Sequence, residues 1–306
     1  MAPQPVIRYL MRDAIDSVKW DACIEAAPAG PVYAHTFYLD RMAGHWDALV
    51  LNDYEAVMPL PWKRKWGIRY GYRPFLTAQL GVIGMNLTPD LIQLFIAAIP
   101  PSYRLIEIPM NPANINGLPQ DTYLLRTNYV LPLQGSYEEI ESRYRENIRR
   151  NCKKAIQLGC EVRPDADPEL VFQLAMEYMK GNKKGMTRDM VRFRDLYNEL
   201  HQRGMTRTYG IFLKGRLLSG AIFILTKKRA YYILVGNHPD GRTVGASHLL
   251  IDSFLRDHAG QPLILDFEGS DIQNLAFFYS SFGAVEEPYP FLQINKLPRL
   301  LRWLKS

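Results

Sequence analysis

The sequence is poor in the residues and motifs that mark several common classes of protein. Its cysteines, Cys23, Cys152 and Cys160, are odd in number and show no C-x-x-C spacing, which argues against a disulfide framework and a structural zinc site. We expect each to be a small buried or helix-surface residue. The six histidines show no H-E-x-x-H or paired-ligand spacing, and no G-x-S-x-G turn or Walker loop is present. Metallohydrolases and serine hydrolases are therefore excluded, and we predict no metal site.

Long apolar runs are also lacking. The longest, residues 91–99, falls far short of the roughly 18 residues expected of a spanning helix. Residues 1–5 show no basic segment followed by an apolar core, so we predict no secretory signal. A soluble, cytoplasmic protein is the expectation.

What the chain does have is enough apolar sequence for a full core. Of its 306 residues, 47% are apolar and 22% are charged, so it has the size of about two domains and is not disordered. The formal net charge of +6 favours anionic partners such as phosphates, acidic lipids, cofactors or nucleic acid, without choosing among them.

Residues 128–306 carry segments of strand and helix period with clear turn signals between them. Ser136 and Glu139 have the spacing of a capping box and begin a helix that Gly159 ends. Strands are predicted at 128–133, 160–163, 207–213, 217–226, 230–235, 262–268 and 289–294, and helices at 136–158, 168–180, 187–202, 243–258 and 271–282. The pattern is an antiparallel meander followed by α-β-α-β.

The first half repeats this order. Strands are predicted at 46–51, 55–61 and 67–72, with a basic turn at 63–65, followed by a helix at 87–99 and a strand at 105–109. We interpret the repeat as a duplication. The predicted fold class is α/β (α+β), with two tandem domains, 1–127 and 128–306, each a mixed, largely antiparallel sheet flanked by helices. The active site is expected in the second.

Three stretches of the second domain carry a resemblance to a known family. Residues 144–155 form a basic helix, 265–270 end a strand, and 274–284 place an Asn at the start of a helix, a Tyr near its middle and an aromatic-Gly pair at its end. The second half resembles the GNAT acyltransferase fold, and the tandem arrangement resembles the Fem family of aminoacyl-transferring enzymes. The similarity covers most of the chain.

The resemblance implies an acyl- or aminoacyl-transferase that acts on an amine acceptor. Fem enzymes take an amino acid from aminoacyl-tRNA, whereas ordinary GNAT enzymes take acetyl from acetyl-CoA, so the expected donor is an anionic molecule of either kind and no cofactor is held tightly. Two alternatives stay open: a conventional acetyl-CoA-dependent N-acetyltransferase, and a non-catalytic tandem scaffold that binds RNA or membrane.

Three side chains are candidates for catalysis. The resemblance implies that Tyr279 is a general acid, and a phenol with an ordinary pKa of about 10 suits a thiol or ribose hydroxyl leaving group; a core aromatic is the alternative. Asp266 and Glu268 are two residues apart in one predicted strand and should point to one side, so either could accept the proton of an incoming ammonium. Alternatively, Asp266 caps the following loop and Glu268 pairs with a nearby base.

The acyl donor is predicted to bind at two helix starts. Residues 242–247 stand where GNAT enzymes have the pyrophosphate-binding loop Q/R-x-x-G-x-G/A; Arg242 and Gly245 match it, whereas Ser247 departs from it. Free amides and a guanidinium can hold a phosphate there, although a plain tight turn explains the same residues. Ser270 begins the next helix and could equally be only its N-cap. The candidate donor-binding residues are Arg242, Gly245, Ala246, Ser247, Ser270 and Asn274.

The remaining candidates concern the substrate and the cell membrane. A stripe along the basic helix can follow a polyanion or remain a solvated face. The segment 297–305 has an apolar seam with cations facing away, so it either packs on the protein or contacts an anionic membrane surface on the cytoplasmic side. The candidate substrate-binding residues are Asn147, Arg150, Lys154 and Asn237. The oligomeric state is left open.

Overall fold

The computed structural model describes residues 5–178, 183–269 and 271–297. Within these ranges the chain forms two compact units, one of residues 5–126 with 288–297 and the other of residues 127–287. Ser270 and residues 298–305, which belong to two of the predicted functional segments, lie outside the described residues. No helix in the described ranges has the length and apolar character needed to cross a membrane.

The described part of the chain contains 13 β-strands and ten α-helices. In chain order the strands are β1 Ile7–Met11, β2 Trp46–Leu51, β3 Ala56–Lys65, β4 Ile68–Gly71, β5 Ile83–Gly84, β6 Tyr103–Pro109, β7 Tyr123–Pro132, β8 Glu161–Pro164, β9 Thr206–Leu213, β10 Arg216–Leu225, β11 Arg229–Asn237, β12 Ile264–Asp266 and β13 Val285–Asn295. The helices are α1 Ser17–Ala26, α2 Thr36–Met42, α3 Pro89–Ala97, α4 Tyr137–Ser142, α5 Glu146–Gln157, α6 Pro168–Tyr178, α7 Lys183–Gln202, α8 Pro239–Val244, α9 Ala246–His258 and α10 Gln273–Ser280.

The sheet of the first unit has the strand order β1-β2-β3-β4-β6-β13, with β5 beside β3. Its named strands pair antiparallel except β4 and β6, which pair in parallel. All six residues of β2 are buried, which explains why each of them except Asp47 is apolar. Phe291 to Asn295 of β13 pair with β6, and the chain from Pro288 onward groups with the first unit although the sequence placed it in the second domain.

The sheet of the second unit has the order β7-β12-β11-β10-β9-β8. Again one pair, β11 with β12, is parallel and the others are antiparallel. Helix α9 packs its apolar side on β9 and β10, where the rings of Phe223 and Phe254 stack 3.8 Å apart. Each unit therefore has the mixed, largely antiparallel sheet that the sequence predicts, with the same order of strands around one parallel pair.

Two predicted helices are each broken into two. The helix expected at 136–158 stops at Ser142 and restarts at Glu146, because Arg145 is extended and its N–H donates to the carbonyl of Ser281 at 2.9 Å instead of continuing the helix. The helix expected at 243–258 begins earlier and breaks at Gly245, which has a φ of +86°. Both breaks are made by contacts that local sequence does not reveal.

The predicted basic turn at 63–65 is wrong. These residues lie in β3, where Lys65 pairs with Ile68 of β4, and the turn consists of Trp66 and Gly67. Both turn residues have positive φ, +52° and +77°, as a two-residue hairpin turn of type I′ requires.

Candidate functional site

Strands β11 and β12 form the only parallel pair among the named strands of the described second unit, and they separate soon after they begin to pair. Strands β11 and β12 pair from Arg229 opposite Ile264 to Tyr231 opposite Asp266. Strand β12 ends there, whereas β11 continues to Asn237, and no other described strand pairs with this edge beyond Tyr231. The peptide groups on that edge are therefore available to bind an extended ligand.

In the first unit, another part of the chain covers the strand edge that follows the parallel pair. Strand β4 pairs in parallel with β6 up to Gly71 opposite Ile106. The chain then returns at Leu80, whose N–H donates to the carbonyl of Pro109 at 2.8 Å, and β5 continues beside β3. The side-chain amide of Asn111 donates to the carbonyl of Leu80 at 2.9 Å. The open parallel pair thus belongs to the second unit, where the sequence places the active site.

Helix α9 begins beside the far end of β11. Its N-cap is Gly245, and no side chain caps the first turn, so the first amides of the helix have no partner within the helix. The hydroxyl of Ser247 donates to the side-chain oxygen of Asn237 at 2.8 Å, and Ser219 donates to the same oxygen at 2.6 Å. The structure therefore brings together Asn237, Gly245, Ala246 and Ser247, which the sequence assigns to two separate binding roles.

Helix α5 lies against this helix start. The ammonium of Lys154 donates to the carbonyl of Thr243 at 2.8 Å, and a Cβ on Gly245 would lie 2.5 Å from the carbonyl oxygen of Asn151. The backbone carbonyl of Asn147 accepts the side-chain amide of Asn151 at 2.7 Å. Of the predicted stripe, Lys154 thus lies at the loop, and Asn147 is a half-buried residue of α5.

The two predicted arginines at this end are exposed. Arg242 lies in the last turn of α8, and Arg150 lies on α5 next to Asn151. With Lys154 they add positive charge around the start of α9, where the helix dipole also favours an anion.

Tyr279 lies at the other side of this site. Its side chain is 8% exposed, and its ring stacks on Phe267 with 4.5 Å between ring centres. Burial raises the pKa of the Tyr279 phenol well above its usual value, and the nearby negative charge of Glu268 raises it further. The phenol therefore stays protonated at neutral pH, as a proton donor must.

Asp266 and Glu268 do not project from one strand, so this expectation is wrong. Strand β12 ends at Asp266, and Glu268 has a left-handed backbone with a φ of +63°. The N–H of Glu268 donates to the Asp266 carboxylate at 2.8 Å. Asp266 caps the loop, which is the alternative that the sequence left open.

Asp266 also belongs to a buried ionic network. The guanidinium of Arg229 contacts Asp266 at 2.7 Å and Glu287 at 2.6 Å, and the side-chain amide of Asn128 donates to Asp266 at 3.0 Å. Burial raises the pKa of Asp266, although Arg229 opposes the shift. Because its oxygens are occupied and enclosed, Asp266 suits a structural role, whereas the half-buried Glu268 is better placed to accept a proton from a substrate.

His248 is a site residue that the sequence analysis missed. It follows Ser247 in the first turn of α9, and its ring stands perpendicular to that of Phe278 on α10, 5.0 Å away. Its Nδ1 atom is buried and has no hydrogen-bond partner among the described residues. Burial lowers the pKa of His248 to about 4, so the imidazole is neutral. The signal in the sequence was Gly245, which ends α8 and begins α9. Because the predicted helix 243–258 runs through Gly245, it did not mark His248 as a first-turn residue.

The last two predicted donor-binding residues are Asn274 and Ser270. Asn274 is exposed in the first turn of α10. Ser270 lies outside the described residues, so its assignment stays a prediction.

Residues 142–271 match the acetyltransferase (GNAT) domain family. No curated protein sequence matches the chain. In solved structures the chain is similar to FemX, with 14% identity, a TM-score of 0.64, and coverage of 97% of this chain and 99% of FemX. It is also similar to L-PGS from Bacillus licheniformis (11% identity, TM-score 0.53, 93% of each chain) and to a tandem GNAT protein from the clavulanic acid biosynthesis pathway (10%, 0.55, 96% of this chain and 99% of that one).

These comparisons confirm the fold prediction. The chain has a tandem GNAT fold of the kind seen in FemX, and its second unit contains a GNAT domain. The match of residues 142–271 to the acetyltransferase (GNAT) domain family supports the class of enzyme that the sequence predicts, an acyltransferase. At these identities the likeness extends to the fold and not to the substrates.

Proposed function

We propose that the second unit transfers an acyl or aminoacyl group from an anionic donor to an amine. The observation that carries the proposal is the early separation of β11 from β12, next to an uncapped helix start on α9 and a buried, protonated phenol at Tyr279. An extended donor arm would lie along the free edge of β11, as a peptide adds to a sheet edge.

The donor's phosphate would bind at the start of α9. The first amides of that helix point along its axis, and the helix dipole stabilises negative charge there. Lys154 supplies a cation that is already fixed at the loop by its bond to Thr243, and the exposed Arg242 supplies a second. Ser247 departs from the GNAT loop pattern, but its hydroxyl is turned to Asn237 and leaves the amides uncovered.

The chemistry requires one proton to leave the amine and one to reach the leaving group. Glu268 would accept a proton from the incoming ammonium, directly or through a water molecule, so that the neutral nitrogen attacks the acyl carbon. As the bond between the acyl carbon and the donor's sulfur or oxygen breaks, Tyr279 would give its proton to that atom. The nitrogen then loses its second proton to the tyrosinate, which yields an amide, the free donor and a restored phenol.

Donor binding tests the first half of the proposal. The full-length protein would be melted with acetyl-CoA, with S-acetylpantetheine, which carries the same thioester without phosphates, and with a 5′-phosphorylated aminoacyl-adenosine mimic. We expect stabilisation by a phosphate-bearing donor, lost in Ser247→Asp, because a carboxylate at the helix start repels the phosphate. Ser17→Asp at the start of α1 places the same charge on another helix and should leave binding unchanged.

The donor that stabilises the protein distinguishes the candidate functions. Stabilisation by acetyl-CoA favours the CoA-dependent N-acetyltransferase, whereas stabilisation by the aminoacyl mimic alone favours the Fem-like aminoacyl transfer. Binding that Ser247→Asp does not weaken would contradict the proposed phosphate site. Failure of every donor to bind, together with salt-sensitive RNA binding, would support the non-catalytic scaffold instead.

A further inference from the structure

The hairpin of β3 and β4 ends in an exposed tryptophan. The two strands stay paired up to Lys65 opposite Ile68, so the tip is a two-residue turn of Trp66 and Gly67. Trp66 is 70% exposed and has a φ of +52°.

Tryptophan is a poor residue for this position. Turns with positive φ at both central residues favour Asn, Asp and Gly, because a bulky side chain is strained in the left-handed region. Neither the turn nor the core gains from an indole that points into solvent. The equivalent hairpin of the second unit, between β10 and β11, turns at residues 226–228 with two lysines and no aromatic residue, so the fold itself does not require one. A residue that local structure disfavours and the core does not use points to a contact outside the chain.

Three cationic residues lie directly before the indole in the sequence, and one of them contacts its ring. Lys63, Arg64 and Lys65 precede it in the sequence, and the ammonium of Lys65 lies 4.6 Å from the centre of the Trp66 ring. The ammonium of Lys63 lies 4.1 Å from the centre of the Tyr72 ring. Among the described residues, no carboxylate forms an ion pair with Arg64 or Lys65. The chemistry of the tip therefore fits an anionic partner with an apolar layer next to its charges.

We propose that the tip 63–67 docks on an anionic lipid surface, with the Trp66 indole in the headgroup layer and the three cations against lipid phosphates. Tryptophan favours this layer because its ring is apolar and its N–H is polar. Basic side chains beside an anionic leaflet strengthen the attachment. A single ring on a two-residue turn suits a flat interface better than RNA, since single strands bind in basic grooves that stack successive bases.

The test measures co-sedimentation of the full-length protein with vesicles. One set contains phosphatidylcholine alone, and the other contains phosphatidylcholine and phosphatidylglycerol in equal amounts. We expect binding to the anionic vesicles only. Trp66→Ala should weaken it about tenfold, and Arg64→Gln with Lys65→Gln should weaken it about fivefold for each cation removed.

Matched variants make the result specific. Lys227→Gln with Lys228→Gln removes two cations from the equivalent hairpin of the second unit and should leave binding unchanged. Binding lost in Trp303→Ala but kept in Trp66→Ala would overturn the proposal and assign the contact to residues 298–305. An equal loss of vesicle binding in the Arg64→Gln, Lys65→Gln variant and in the Lys227→Gln, Lys228→Gln variant would also overturn it, because general positive charge would then explain the attachment. Tighter binding to single-stranded RNA than to vesicles, lost in Trp66→Ala, would replace the lipid partner with a nucleic acid.

Discussion

Arg69 and Arg229 hold equivalent positions in the two units. Arg69 lies in β4 opposite Tyr103, the first residue of β6, and Arg229 lies in β11 opposite Ile264, the first residue of β12. Each forms ion pairs with carboxylates inside the protein. Arg69 contacts Asp47 at 3.1 Å, and Arg229 contacts Asp266 and Glu287. The duplicated fold therefore keeps a buried cation where each parallel pair begins.

Removing the Arg229 charge should destabilise the protein strongly. Arg229→Met leaves Asp266 and Glu287 enclosed without a counter-ion, which costs about 3–5 kcal/mol for a buried pair. Urea unfolding measures the loss, and the exposed Arg150→Met serves as control with a change within about 0.5 kcal/mol. Addition of Asp266→Asn to Arg229→Met should recover part of the stability; no recovery would mean that the network is not held by charge.

A second prediction concerns the break between α8 and α9. Gly245→Ala forces a Cβ to within 2.5 Å of the Asn151 carbonyl at a φ of +86°, so we expect a loss of about 3 kcal/mol from strain and displacement of α5. Gly159→Ala is the matched control, because Gly159 has a φ of +83° and open space around it. That control should lose only about 1 kcal/mol. Similar losses at both positions would show that α5 does not press on the α9 start.

Acid should destabilise the fold partly through His248. Its folded pKa of about 4 lies below the unfolded value of 6.5, so the unfolded chain binds the proton more readily, and stability falls as the pH drops from 6.5 toward 4. His248→Asn removes this titration. The free energy of unfolding between pH 7 and pH 4 should then fall by roughly 2 kcal/mol less in the variant than in the wild type. If the free energy of unfolding changes equally with pH in the variant and the wild type, the imidazole is exposed to solvent rather than buried.

Tyr279→Phe should separate chemistry from binding. The variant keeps the ring that stacks on Phe267 but loses the proton donor, so we expect unchanged donor binding and stability, with turnover reduced by about a hundredfold or more. Release of the free thiol or free ribose hydroxyl from the donor, measured with a panel of amines, provides the rate. Tyr129→Phe removes a neighbouring hydroxyl that donates to Glu286 at 3.0 Å and should retain turnover. Full activity in Tyr279→Phe would exclude the phenol as the general acid.

Sequence patterns predicted the fold of the second unit well, because its strands are apolar runs between strong turn residues. They failed where a distant contact decides the backbone. Arg145 leaves the helix to donate to Ser281, and Gly245 turns against α5, and neither partner is close in sequence. Glu268 fell outside β12 because the strand stops where Asp266 enters the Arg229 network.

The first 45 residues were left without elements for a different reason. Helix α1 buries Trp20 and Ile24 but leaves Val18 81% exposed, so its apolar residues show no clear helical period. His248 was missed because the predicted helix 243–258 runs through Gly245, so His248 was not recognised as a first-turn residue, and because its contact with Phe278 joins residues far apart in sequence.

The path of β13 has a consequence for how the protein is made. Residues 127–287 interrupt the first unit, whose strand β6 pairs with a segment that follows them. A nascent chain that has reached residue 287 therefore holds all of the second unit but still lacks the closing strand of the first. Synthesis from the amino terminus thus favours completion of the second unit before the first. For the same reason, no single cut in the polypeptide can release the two units as intact fragments.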